Sequence, residues 1–131
     1  MIEELVEFFL SEHITIQGAK DVEGFKSPPA IMNDGYGDQR PRTPDLIGLD
    51  KEKRKVIFGI VKCERSELDS EEALTEYNVF LDHRSERGGD ASVLYVLLRD
   101  ELLNDFQGII THYIHREYWH RILPIVSKLR M

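Results

Sequence analysis

Residues 43–63 read TPDLIGLDKEKRKVIFGIVKC, and this stretch decides the fold. Residues 44–50 hold an apolar run, Leu46-Ile47-Gly48-Leu49, opened by Pro44-Asp45. Residues 55–63 hold a second, Val56-Ile57-Phe58-Gly59-Ile60-Val61, closed by Lys62-Cys63. The polar segment Asp50-Lys51-Glu52-Lys53-Arg54 joins them. Two short runs of strand-forming residues around a polar turn read as a hairpin. The second run is apolar at both alternating sets of positions, as in a strand covered by helices on two sides.

Working outward, residues 2–12 read as a helix, because Ile2, Leu5, Val6, Phe9 and Leu10 recur at helical spacing. Glu3, Glu4 and Glu7 fall on the opposite face, in the turns where carboxylates suit the helix dipole. Glu12 either points inward or lies beyond the helix end. Residues 14–19 suit a short strand. The stretch 20–43, with Gly24, Pro28, Pro29, Gly35, Gly37 and Pro41, is irregular. A loop of that length is uncommon inside a domain and is expected to be mobile or functional. After the hairpin, residues 67–84 read as a helix with the stripe Ala73, Leu74, Tyr77, Phe80 and Leu81, capped by Ser70 or Asp69. A loop containing Gly88-Gly89 leads to a buried strand over 91–98, a helix over about 100–114, and residues 122–126. Residues 122–126, Ile122-Leu123-Pro124-Ile125-Val126, suit either an edge strand or the start of a helix; the edge strand is the preferred reading, since proline is tolerated at an edge but not in a central strand. The expected fold is a single α/β domain over 1–131. Its central mixed β-sheet is flanked by helices in the order α-β-β-β-α-β-α-β.

Composition narrows the class. The chain has 131 residues, enough for one domain with its own core and too few for two. The single cysteine, Cys63, excludes an internal disulfide framework and a cysteine-rich zinc site. No apolar run approaches the ~18 residues of a spanning helix, so no membrane role is expected. The N-terminus lacks the positive start of a signal peptide, and the expected location is cytoplasmic. The net charge is −7, which disfavours non-specific coating of nucleic acid. That average hides one basic island, because residues 40–62 carry seven basic and three acidic groups.

The chemistry lies in Thr43-Pro44-Asp45 followed by Ile60-Val61-Lys62. In a hairpin, an aspartate opening one strand and a lysine near the end of the next meet at one end of the sheet. Carboxylate oxygen is the ligand that Mg²⁺ requires. A nearby ammonium can position a water or offset charge on a phosphate. Arg40 and Arg42 precede the pair, and guanidinium groups suit phosphate oxygens.

Order and spacing resemble the PD-(D/E)xK nuclease superfamily, in its restriction-endonuclease-like and resolvase-like branches. Pro44-Asp45 matches the Pro-Asp element and Lys62 the lysine of the second element. The resemblance covers about twenty residues as motif and most of the chain as order of elements. It implies a restriction-endonuclease-like core, Mg²⁺ as cofactor, DNA as substrate and, as in many such proteins, a homodimer. It implies Asp45 and Lys62 as catalytic residues, with Asp45 on the metal. One departure matters: the second acid is expected two residues before the lysine, where this chain has Ile60. Ile60 shares a face with Lys62 and offers a metal nothing. Glu64 shares that face but lies roughly 13 Å from the Ile60 position at about 3.3 Å per residue. In some members a helix carboxylate takes over, and Glu72 and Glu76, one turn apart on helix 67–84, are the candidates. Glu76 then joins the catalytic set, and both join the metal set. The superfamily often places another acid on the first helix, where Glu4, Glu7 and Glu12 are available.

Weaker signals are His112, His115 and His120 beside Glu117, a set with no specified third zinc ligand. Tyr113, Tyr118 and Trp119 are aromatics that can stack on bases or pack. Three readings follow. The first is a metal-dependent nuclease acting on DNA, with a migrated or degenerate site. The second is an inactive nucleic-acid-binding or protein-interaction module of the same fold. The third is a small interaction module with no nucleic-acid role.

Overall fold

A computed structural model describes residues 2–31, 41–50, 52, 55–83 and 91–128. Along the chain the elements are α1 (Ile2–Ser11), β1 (Thr15–Ala19), β2 (Leu46–Leu49), β3 (Val56–Lys62), α2 (Glu71–Asp82), β4 (Val93–Leu98), α3 (Leu103–Tyr113) and β5 (Ile122–Val126). Short 3-10 turns occupy Arg65–Glu67, Asp100–Leu102 and Arg116–Arg121.

The hairpin forms because β2 and β3 pair antiparallel, Leu46 opposite Gly59 and Leu49 opposite Val56. Asp50 closes its turn: the Lys55 amide donates to Asp50 Oδ1 at 3.1 Å. The strands lie in the order β1-β2-β3-β4-β5, with β1 antiparallel to β2 and the pairs β3/β4 and β4/β5 parallel. Parallel neighbours need crossover connections, which α2 and α3 supply. Both crossovers step the same way across the sheet, and right-handed crossovers in one direction put their helices on one face. Tyr77 and Phe80 of α2 and Phe106 and Ile109 of α3 accordingly share one buried cluster with Phe58, Ile60, Leu94 and Val96. Phe58 stacks on Phe80 with ring centroids 4.8 Å apart.

The other face belongs to α1, whose Leu5, Val6 and Phe9 are buried with Leu46, Ile57 and Leu97. Gly59 lets α1 come this close. A Cβ there would sit 2.7 Å from Leu5 Cδ2 and 3.1 Å from Phe9 Cζ. The doubly apolar pattern of residues 55–63 is explained by these two coverings. Pro124 lies in β5, which among the described residues is an edge strand of the sheet, where a missing donor on one side is tolerated. Among the described residues no helix is long and apolar enough to cross a membrane.

Helix α1 stops at Ser11, so Glu12 is exposed and outside it. The end is a Schellman motif: the Ile14 amide donates to Phe9 O at 2.9 Å and the His13 amide to Leu10 O at 3.1 Å. The motif needs a left-handed residue, and His13 supplies it at φ 60°. Glycine adopts that conformation without the steric cost of a Cβ. We expect His13→Gly to stabilise the chain by about 0.5–1 kcal/mol, read from the urea midpoint at unchanged slope.

The expected helix over 67–84 is shorter than its periodicity suggested. Glu67 Oε1 accepts the amides of Cys63 (2.8 Å) and Glu64 (2.9 Å), which holds a separate 3-10 turn. The α-helix starts afresh at Ser70, whose Oγ accepts the Ala73 amide at 3.1 Å. The helix expected from about 100 likewise opens with a 3-10 turn and is α-helical only from Leu103. The loop with Gly88-Gly89 lies outside the described residues.

Candidate functional site

Side chains alternate across a strand, so faces can be assigned from the two buried clusters. Ile47, Phe58 and Ile60 face α2 and α3, while Leu46 and Ile57 face α1. Lys62, two residues after Ile60, and Asp45, two before Ile47, therefore fall on the α2 side. Both stand at the end of the sheet formed by the carboxyl ends of β3 and β4, since Lys62 pairs with Leu98. Ligands of open α/β sheets gather at that end.

Asp45 is fixed by its surroundings. Its amide donates to Gly59 O at 3.1 Å, and its carbonyl accepts from the Lys20 amide at 2.9 Å. Its Oδ2 accepts the Val61 amide at 2.8 Å. β2 begins only at Leu46, so the carboxylate takes a donor that β3 presents beyond that point. A carboxylate has about four acceptor positions, and one amide does not exhaust them.

Lys62 reaches α2. Its Nζ lies 3.5 Å from Glu76 Oε1, with only 13% and 22% of the two side chains exposed. Glu76 precedes Tyr77, which is buried, and sits one turn before Phe80 on the face that α2 turns to the sheet. Burial pushes the Glu76 carboxyl above its ordinary value; the charge of Lys62 and its hydrogen bond pull down, Asp45 pushes up, and Arg42 pulls down. Three charged groups thus act on Glu76 here: Lys62, Asp45 and Arg42. Arg42 is held upstream by a two-residue bridge, its amide donating to Ile31 O at 2.9 Å and its carbonyl accepting from the Ile31 amide at 2.7 Å.

The raised value of Glu76 has a sign that can be tested. The folded chain holds this proton more tightly than the unfolded chain does. The group's contribution to stability therefore falls as pH rises from the ordinary value of 4.5 through the raised one. In a carboxyl-detected NMR titration, Glu76 is expected to titrate above the exposed glutamates. Asp45→Asn should lower its midpoint and Lys62→Met should raise it.

The other sequence candidates fall differently. Glu72 is exposed in the first turn of α2. Arg40 lies outside the described residues, as do Lys51, Lys53 and Arg54 of the hairpin turn. Ile60 is 1% exposed and belongs to the core beneath the cluster. Glu4 turns to the other end of the chain, accepting from Ser127 Oγ at 2.5 Å and from the Lys128 amide at 2.8 Å. His115 caps the 3-10 turn at Arg116–Arg121 by accepting the Glu117 amide at 3.2 Å. Among the described residues no group of three or more His, Cys, Asp or Glu side chains is arranged to hold a metal. Asp45 and Glu76 nonetheless supply two hard oxygen donors on one face, and Mg²⁺ commonly takes one or two carboxylates and completes its shell with water. Residue-by-residue reading missed Arg99, the first residue after β4, whose Nε lies 3.2 Å from Glu101 Oε1 at this same sheet end. The rule about carboxyl ends of parallel strands would have pointed to it.

Comparison of the chain with family models, with curated proteins and with solved structures gives no match.

Proposed function

We propose that this chain is a metal-dependent nuclease-like protein of the cytoplasm, with a restriction-endonuclease-like core, acting on DNA phosphodiesters. The observation that carries the reading is the meeting of Asp45, Lys62 and Glu76 on one face at the carboxyl end of the sheet. These residues stand far apart in the sequence, and two of them are poorly exposed. A carboxylate from α2 stands in for the acid missing at Ile60. Asp45 and Glu76 would hold a divalent cation, which when bound supplies Lewis-acid activation of water and phosphate. Lys62 orients the attacking water or offsets charge at the phosphate, and Arg42 positions a phosphate oxygen. In a homodimer, the assembly the resemblance implies, two such clusters would face one duplex.

A second reading is a non-catalytic module of the same fold that binds nucleic acid or protein. The exposed position of Glu72 favours it, because the metal set is then two carboxylates rather than three.

Manganese separates the two. Paramagnetic Mn²⁺ is expected to broaden the NMR signals of Asp45, Val61, Lys62 and Glu76 first, with Mg²⁺ competing it away. The effect should weaken as the pH falls and Glu76 takes up its proton. Broadening spread over the surface carboxylates, with none concentrated at the cluster, would leave the nuclease reading without its metal.

A further inference from the structure

Lys62 is engaged before any substrate arrives. Its Nζ lies 3.5 Å from Glu76 Oε1, and both side chains are poorly exposed. A phosphate oxygen that is to meet this ammonium has to compete with the Glu76 carboxylate for it. The role of Lys62 toward a phosphate therefore requires that something draw Glu76 away.

The two carboxylates of the cluster are held in different ways. Asp45 is tied to the main chain, since its Oδ2 accepts the Val61 amide at 2.8 Å. Its side chain is short and stays where the strand end puts it. Glu76 reaches the cluster from α2 on a longer side chain and is paired with another side chain, that of Lys62. Asp45 pushes the Glu76 carboxyl up, whereas the Lys62 charge pulls it down. The ammonium thus offsets the repulsion between the two carboxylates. A divalent cation between them would do the same with twice the charge, and it would repel the ammonium as it did so. Glu76 has the side-chain freedom to turn from one cation to the other, and Asp45 has no need to move.

We propose that the Lys62–Glu76 ion pair is a latch that a divalent cation opens: Glu76 leaves Lys62 to join Asp45 on the cation, and Lys62 is released to a phosphate oxygen of the substrate. The latch rests on the metal reading of the cluster given above and adds to it an order of binding. Without the cation, Glu76 keeps the ammonium from phosphate. With the cation seated, the same ammonium is free to form a charge-assisted bond. By linkage, a phosphate on Lys62 keeps Glu76 on the cation and tightens the cation in turn.

NMR of the full chain, with isotope-labelled lysine and glutamate, reads the pair directly. A nuclear Overhauser contact between the Lys62 ε-methylene and the Glu76 γ-methylene is expected without metal, because the ion pair brings them into range. The probe is Mg²⁺, which is diamagnetic, added at constant ionic strength so that screening is unchanged. Two results are expected together. The amides of Val61 and Lys62 shift saturably, which reports the cation, and the contact between Lys62 and Glu76 is lost over the same concentrations. Asp45→Asn removes one charge from the cation's site yet keeps an oxygen for the Val61 amide. In that variant the contact should persist at Mg²⁺ concentrations that abolish it in the parent. A saturable shift with the contact intact would overturn the latch and leave the metal reading standing. No saturable shift at the cluster would overturn both. Loss of the contact in Asp45→Asn at the same concentrations would also overturn the latch, since the pair would then open without the second carboxylate.

Discussion

Replacing Lys62 by methionine is expected to destabilise the chain by about 2–3 kcal/mol, and replacing Glu76 by leucine in the same molecule to restore most of that loss. The single change leaves a carboxylate in a place that already disfavours its charge. Glu76 is raised by burial and by Asp45, and Lys62 is the largest influence holding it down. A buried pair broken on one side costs about 3–5 kcal/mol, and the remaining exposure of both side chains moves the expectation to the lower end. Removing both charges together exchanges a desolvated pair for packing beside Tyr77 and Phe80, which is close to neutral. Urea unfolding of the parent, both single variants and the double variant closes the cycle. Additive losses would mean that Lys62 and Glu76 do not act as a unit. Neighbouring acids contribute less here: Asp45 is anchored to Val61 and raises Glu76 only as a lesser influence.

Arg121→Ala is expected to cost about 3–5 kcal/mol, the largest loss at any single position outside the apolar core. One nitrogen, Nη1, serves two carbonyls, Leu81 O at the end of α2 and Ser92 O just before β4. Both residues are fully buried. Alanine leaves two buried acceptors without that donor, each at about 1–3 kcal/mol, and removes the partner of the Tyr118 ring. The Ser92 hydroxyl, which donates to Phe80 O, ties the same corner together. Arg121→Lys should fall between parent and alanine, since one ammonium keeps the charge without the planar fork. Thermal unfolding reads the order directly; equal melting temperatures for the parent and Arg121→Ala would refute the bridge.

Much of the architecture was legible because it rests on periodicity. The residues 55–63 are apolar at both alternating positions, and the two clusters on either side of β3 are the physical cause. Pro124 marked the sheet edge by its missing donor. Asp45, Lys62 and Glu76 were candidates in the sequence, but spacing could not choose between Glu72 and Glu76. The choice depends on how far α2 is rotated over the sheet. The buried stripe containing Ala73, Tyr77 and Phe80 sets that rotation and leaves Glu72 exposed. Ser70 was legible as the cap of α2 and does cap it, but the periodic stretch from 67 is not part of the helix, because the Glu67 carboxylate captures two amides and holds a separate turn before Ser70. Arg121 gave no signal at all. Its partners are main-chain carbonyls 40 and 29 residues away, and a carbonyl carries no mark in a sequence.

The most direct test of the central claim is strand cleavage. Plasmid, single-stranded and branched DNA are incubated with the parent chain in Mg²⁺, in Mn²⁺ and in chelator, beside Asp45→Ala, Lys62→Ala and Glu76→Gln. The account predicts metal-dependent cleavage of at least one substrate by the parent, lowered by about 100-fold or more in each variant. Far-ultraviolet circular dichroism confirms that the variants remain folded. Cleavage that survives in all three folded variants, or none by the parent with either metal, would contradict it.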